Sequence, residues 1–166
     1  MFYKISDFVN DWQNESQATL KLFNCLTDQS LKQKVTEEGR SLGTIAWHIT
    51  TSFGEMLKRT GLNPEGPEEN APEPESAKEI AEAYSIASES VLKQITENWN
   101  DETLFTEDNM YGEMWKKSLT LTVLLVHQIH HRGQMTVLMR QAGLVIPGLY
   151  GPAKEEWAQF GMPAAK

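Results

Sequence analysis

The spacing of apolar residues constrains the fold of this chain more than any other feature of its sequence. Apolar side chains recur every three or four residues in four separate stretches, which is the period of an amphipathic α-helix. The first stretch carries on one face Ile5, Phe8, Val9, Trp12, Thr19, Phe23 and Leu26. No strand-like alternation is sustained, and no internal repeat is visible. The pattern therefore predicts an all-α four-helix bundle.

Residues that start or end helices separate the four stretches. The predicted helices cover roughly residues 5–26, 42–59, 76–98 and 117–142. Basic residues before Gly61 end the second helix, and Ser76 with Glu79 forms a capping box that starts the third. The acidic, proline-rich segment 62–75 is predicted to be a solvated connection. Segment 99–115 allows a long loop or a short extended pair, and the aromatic tail is expected to pack on the body or on a partner.

Composition limits the classes of protein to which the chain can belong. Its 166 residues, 40% of them hydrophobic, suffice for one core, so we expect a single domain over residues 1–166. The net charge of −8 opposes contact with phosphate backbones, and nucleic-acid binding is not expected. The sequence has neither a long apolar run nor a cationic leader, which predicts a soluble cytoplasmic protein without a membrane segment. The lone Cys25 is interpreted as structural, with a nucleophilic role left open.

Three of the four histidines are spaced so that they can share one metal ion. His127 and His131 lie four residues apart in the fourth stretch, so both rings project from one helix face. His48 lies in the middle of the second stretch, and helices in a bundle approach within about 8 to 10 Å of each other. Three imidazoles with no fourth protein ligand leave a coordination position open, as in catalytic sites. Spacing alone equally permits a chance pair of buried histidines that bond to carbonyl groups.

The polar residues near these histidines each allow a functional and a structural interpretation. Gln134 could hydrogen-bond a substrate or a metal-bound water, or it could be a polar core group. Glu55 could be a general base or an exposed salt-bridge partner. We interpret His130 as a supporting or structural residue, and Arg132 as part of an interhelical ion pair more readily than as an anion-binding group. Core packing is the expected role of the aromatic residues Trp12, Tyr84 and Trp115.

Three segments of the sequence resemble the DinB/YfiT-like superfamily of bacterial stress- or damage-inducible proteins. They read "AWHIT", "VHQIHHRGQMTVLMRQAG" and "VIPGLYGPAKEEW", and the similarity extends in order along the whole chain. The resemblance implies a four-helix bundle of up-down-down-up topology, a divalent metal ion and frequent homodimers. By position it implies His48, His127 and His131 as the metal ligands, which are the histidines selected by spacing.

Some members of that superfamily are thiol transferases or isomerases, and many have no demonstrated activity. Our leading hypothesis is a transferase that conjugates a low-molecular-weight thiol, such as bacillithiol, to small electrophilic substrates. Zn²⁺ or Ni²⁺ would be the cofactor, because imidazole ligands suit both ions, and Gln134 and Glu55 would assist catalysis. The alternatives are a metal-dependent hydrolase that activates a water molecule, and a non-enzymatic, stress-induced protein that binds a metal or ligand.

Overall fold

Four long α-helices form where the apolar spacing predicts them. The computed structural model describes residues 1–163. Its long helices are α1 (Ile5–Phe23), α2 (Leu42–Lys58), α3 (Ala77–Asn98) and α4 (Lys117–Gln141). Short 3-10 helices cover Ser30–Lys32, Thr103–Phe105 and Trp157–Phe160. The all-α bundle expected from the sequence is confirmed.

Helix α1 ends three residues earlier than its apolar pattern suggests. The backbone N–H of Asn24 still bonds to the carbonyl of Leu20, but those of Cys25 and Leu26 bond three residues back, so the chain tightens into turns. Leu26 remains buried in the core. The apolar pattern therefore continues through a turn that contributes a core residue without being α-helical.

Contacts at the helix ends establish how α1 runs through the bundle. Helix α1 packs against α3 and α4. The backbone N–H of Ile5, at the start of α1, donates to Asp101, just beyond the end of α3, across 2.8 Å. Met1 lies beside Ser118 at the start of α4. Helix α1 is therefore antiparallel to α3 and parallel to α4.

Helix α2 occupies the position diagonal to α1, between α3 and α4. Ile45 near its start and Leu138 near the end of α4 line the same pocket, so these two helices are antiparallel. The topology is therefore up-down-down-up, as the resemblance implies. Since α2 and α3 run in the same direction, the chain between them must return along the bundle. That return is the segment 62–75, which the indole N–H of Trp47 ties to α2 by donating to the Ala71 carbonyl across 2.8 Å.

The predicted aromatic core forms around Trp12 and Tyr84, both fully buried. The indole N–H of Trp12 donates to the Ser88 carbonyl across 3.0 Å, and the Trp12 ring lies 4.9 Å from that of Phe53. Trp115 is only half-buried, and its ring packs against Tyr111 with centroids 5.8 Å apart. Trp12 and Tyr84 therefore pack in the core as predicted, whereas Trp115 lies at the edge of the bundle.

The segment between α3 and α4 forms a short β-hairpin, which is the extended pair of the two alternatives. Strands β1 (Glu107–Met110) and β2 (Glu113–Lys116) pair in antiparallel register. The two residues of the turn, Tyr111 and Gly112, have φ angles of 59° and 92°. Positive φ at both central residues is the geometry of the tight turns that match the twist of a hairpin. The sequence pattern is too short there to identify strands.

A buried ion pair joins α1 to α4, as the interhelical interpretation of Arg132 predicts. The Arg132 side chain is 1% exposed, and its guanidinium pairs with the Glu15 carboxylate. The same guanidinium donates to the Glu15 carbonyl across 2.9 Å, to the Thr19 hydroxyl across 3.1 Å and to the Tyr150 hydroxyl across 2.6 Å. Because Tyr150 belongs to the C-terminal segment, this network also holds the tail against the bundle.

Within residues 1–163, no helix is both long enough and apolar enough to cross a membrane.

Replacing Arg132 by Leu should lower the free energy of unfolding by about 3 kcal/mol, because it leaves a partly buried carboxylate without its partner. Glu15→Gln should cost less, since the amide oxygen can still accept from the guanidinium. Urea unfolding monitored by circular dichroism measures both. Equal losses from the two variants, or no loss from Arg132→Leu, would contradict this account.

Candidate metal centre

Three histidines from two antiparallel helices meet at one point in the bundle. His48 lies in the middle of α2, while His127 and His131 lie one turn apart on α4. The Nε2 atom of His127 is 3.2 Å from Nε2 of His48 and 3.1 Å from Nε2 of His131. Their candidate ligand atoms all lie within 4.8 Å of one another. The structure therefore brings together the three histidines selected by spacing.

These separations suit a shared divalent ion. Two nitrogens bound tetrahedrally at about 2.0 to 2.1 Å from one Zn²⁺ are roughly 3.3 Å apart. The two Nε2 separations at His127 are close to that distance. Among residues 1–163, this is also the one group of three or more histidine, cysteine or acidic side chains placed to hold a metal ion. The site could thus accept a divalent cation with imidazole ligands alone.

A hydrogen bond determines which ring nitrogen of His131 directs its lone pair towards the other two histidines. Nδ1 of His131 lies 2.7 Å from Oε1 of Gln134. An amide oxygen only accepts, so Nδ1 carries the proton and Nε2 presents a lone pair to the other two histidines. The Gln134 amide in turn points its nitrogen to Nε2 of His130, 3.2 Å away. Gln134 therefore orients a candidate ligand, and His130 supports Gln134 from the exposed side.

His127 has the least satisfied ring of the three. Its Nδ1 is buried and has no hydrogen-bond partner among the described residues. Its Nε2 faces the Nε2 atoms of both other histidines, and one proton on it can be shared with only one of them. Crowded lone pairs of this kind are stabilised by a cation placed between them.

Burial keeps all three imidazoles neutral. Desolvation, then the charges of the other histidines, lowers the pKa of His127 to about 4. Desolvation also lowers the pKa of His48 and of His131, and the nearby Arg40 guanidinium contributes to both shifts. Neutral imidazole is the form that binds metals, so the lone pairs are available near pH 7.

Glu55 is close to the centre, but its carboxylate is already occupied. The Arg59 guanidinium donates to one oxygen across 2.8 Å, and the Tyr111 hydroxyl donates to the other across 2.6 Å. Arg59 also stacks on the Tyr111 ring, 4.6 Å from its centroid. This is the salt-bridge role that the sequence left open for Glu55, but the side chain is half-buried and not exposed as that interpretation supposed. The part played by Tyr111 was not foreseen, because it depends on the hairpin that carries it.

Polar residues of α2 that share a face with His48 are satisfied within the fold. The Ser41 hydroxyl caps the helix by accepting from the Thr44 N–H across 3.0 Å, and the Thr44 hydroxyl donates to Glu73. The Ser52 hydroxyl donates to the Ile49 carbonyl across 2.8 Å. These groups therefore give no support to the metal site. Cys25 lies apart from the triad at the end of α1, where its thiol donates to the Lys21 carbonyl.

The model of the DinB family matches residues 1–164 of the sequence. The chain belongs to the DinB family. An uncharacterized protein of Bacillus subtilis, YrdA, is 47% identical over 166 residues, covering 100% of this chain and 99% of that protein. The crystal structure of a DinB-like protein from Bacillus cereus superimposes with a TM-score of 0.87 and 41% identity, covering 90% of this chain and 100% of the other.

A second DinB-like structure, YjoA of Bacillus subtilis, is more distant. It superimposes with a TM-score of 0.65 and 22% identity, covering 82% of this DinB chain and 92% of YjoA. That likeness supports the fold. The family resemblance read from the three sequence segments is confirmed, and the bundle is one that DinB-like proteins share.

Without metal, the protein should lose stability as the pH falls from about 6.5 towards 4. Histidines in the unfolded chain take up protons near pH 6.5, whereas His127 in the folded protein does so near pH 4, so the unfolded state binds more protons in between. Urea unfolding at pH 7.5 and 5.0, with a chelator present, measures the change. His127→Gln should show a smaller decrease than the wild type, and an equal decrease would contradict the assignment.

Gln134→Leu should weaken zinc binding about 10- to 100-fold, because it removes the acceptor that orients His131. Gln134→Glu keeps an acceptor oxygen at that position and should stay close to the wild type. Competition against a chromogenic zinc chelator measures both affinities. Wild-type affinity in Gln134→Leu would show that the hydrogen bond to His131 has no part in the site.

Proposed function

We propose that this DinB protein is a divalent-metal-dependent transferase that conjugates a low-molecular-weight thiol to small electrophilic substrates. The observation that carries the proposal is the convergence of three neutral imidazole nitrogens, with no fourth ligand from the described residues, beside a pocket open to small molecules. Zinc or nickel is the proposed cofactor, held by His48, His127 and His131. The ion, when bound, would lower the pKa of a thiol and keep it as the reactive thiolate.

The reaction proposed is a displacement at carbon. The thiol gives its proton to water, its sulfur forms a bond to the electrophilic carbon, and the leaving group departs with the electron pair of the broken bond. The protein positions the reacting groups. The three histidines would hold the ion that binds the sulfur, and Gln134 orients the ring of His131. Neutral ring nitrogens accept no proton from the thiol while they serve as ligands, which is why the proton goes to solvent.

The environment of Glu55 disfavours a hydrolase that relies on this carboxylate. Such a hydrolase would need Glu55 free to orient the attacking water or to take its proton. The Glu55 carboxylate is committed to two donors, Arg59 and Tyr111, and the Gln134 amide cannot act as a base. A thiol loses its proton readily near neutral pH, so transfer from a thiol does not require such a base.

The proposal includes a small-molecule substrate, a homodimer, a cytoplasmic location and no nucleic-acid partner. The dimer rests on the family resemblance, and the exclusion of nucleic acid rests on the net charge of −8. A reducing compartment suits the proposed reaction because the thiol must remain reduced.

Purified protein should contain about one equivalent of zinc or nickel, and metal-loaded protein should conjugate bacillithiol or glutathione to a chloronitroarene. His127→Ala should lose the metal and reduce kcat/KM at least 100-fold, because two remaining ligands bind a divalent ion weakly. His130→Gln is the matched control, since it removes the histidine outside the triad, keeps an acceptor for the Gln134 amide and should stay within a few-fold of the wild type. Elemental analysis and absorbance kinetics give the two readouts.

Full activity in metal-free protein would refute the proposal. Metal binding without turnover across a broad panel of thiols and electrophiles would instead favour a binding protein. Turnover of an ester or amide without any thiol would favour the hydrolase.

A further inference from the structure

A pocket of about 460 Å³ opens directly beside the three histidines. It lies between the loop that precedes α2 and the C-terminal half of α4. Its walls are aliphatic, from Val35, Ile45, Val137 and Leu138. His131 and Gln134 form the side next to the candidate metal centre, so a molecule in this pocket would lie against the triad.

Arg40 is the cation that lines the pocket. It is exposed, and no carboxylate of residues 1–163 lies within 4.0 Å of its guanidinium nitrogens. The other arginines, Arg59, Arg132 and Arg140, are each paired with a glutamate. In a chain of net charge −8, an arginine left free at the mouth of an apolar pocket is available to a ligand.

We infer that this pocket binds the electrophilic substrate as a small monocarboxylate with an apolar body, anchored by Arg40. The planar guanidinium matches a carboxylate through two parallel hydrogen bonds, and the aliphatic walls exclude water from the body of the ligand. A phosphate dianion fits less well, because one guanidinium offers too few donors for its charge and oxygens. The binding itself depends only on the pocket, whereas its role in catalysis rests on the proposed function.

Low-molecular-weight thiols also carry carboxylates, so the carboxylate bound by Arg40 could belong either to the electrophile or to the thiol. The aliphatic walls favour the electrophile, because such thiols are polar along their whole length. Comparison of an apolar carboxylate with glutathione distinguishes the two sources.

The test measures binding of 3-phenylpropanoate to zinc-loaded protein by isothermal titration calorimetry. The neutral 3-phenylpropanamide should bind about tenfold more weakly, because it lacks the charge that strengthens hydrogen bonds to arginine. Arg40→Met should weaken binding of the carboxylate about tenfold, leave the amide unchanged, and leave glutathione within twofold of its wild-type affinity. Lys93→Met, which removes one exposed positive charge from α3, is the matched control and should have no effect.

The same titration with His127→Ala separates this inference from the proposed function. That variant should lose conjugation activity but bind 3-phenylpropanoate within threefold of the wild type, because Arg40 and the aliphatic walls are intact. Equal affinities for the acid and the amide would overturn the inference, as would an unchanged affinity for the acid in Arg40→Met. It would also be overturned if Lys93→Met weakened binding of the acid as much as Arg40→Met, or if Arg40→Met weakened only the binding of glutathione. Loss of probe binding in His127→Ala would show that the ion and not Arg40 holds the carboxylate.

Discussion

The packing of α2 against α4 is the constraint on which the candidate site depends. Neither helix holds three ligands, so the group exists only where the two antiparallel helices bring His48 opposite the pair on α4. The register must hold to within a fraction of a helical turn for Nε2 of His127 to remain 3.2 Å from Nε2 of His48 and 3.1 Å from Nε2 of His131. The buried Arg132 network fixes the other side of α4, because it ties this helix to α1 one residue beyond His131.

The residues on the hairpin side of the triad differ in their hydrogen bonding from those on the pocket side. On the side of the hairpin, Tyr111, Glu55 and Arg59 form a closed group whose donors and acceptors satisfy one another. On the opposite side, the aliphatic pocket with Arg40 is open. The pocket that contains Arg40 therefore gives a small molecule a route to His131 and its neighbours.

Local sequence was enough to predict the four helices, the Ser76 cap at the start of α3 and the shared face of His127 and His131, because each depends on neighbours in the sequence. The reciprocal bond of a capping box, from the Glu79 side chain to the Ser76 N–H, does not form among the described residues. Spacing and ordinary helix packing allowed convergence with His48 but equally allowed a chance pair of buried histidines, and the family resemblance specified the three converging residues. The lack of a carboxylate partner for Arg40 among residues 1–163 and the bond from Tyr111 to Glu55 could not be predicted. Both depend on contacts between segments far apart in the chain, for which a single sequence carries no signal.

The distance along the chain between the candidate ligands has a thermodynamic consequence. His48 and His127 are 79 residues apart, so the stretch of chain between them contains the segment 62–75, all of α3 and the hairpin. An ion that requires both residues cannot remain bound to a locally opened segment. Its binding energy would therefore add to global stability, and occupancy of the site would report on the folding of the whole chain.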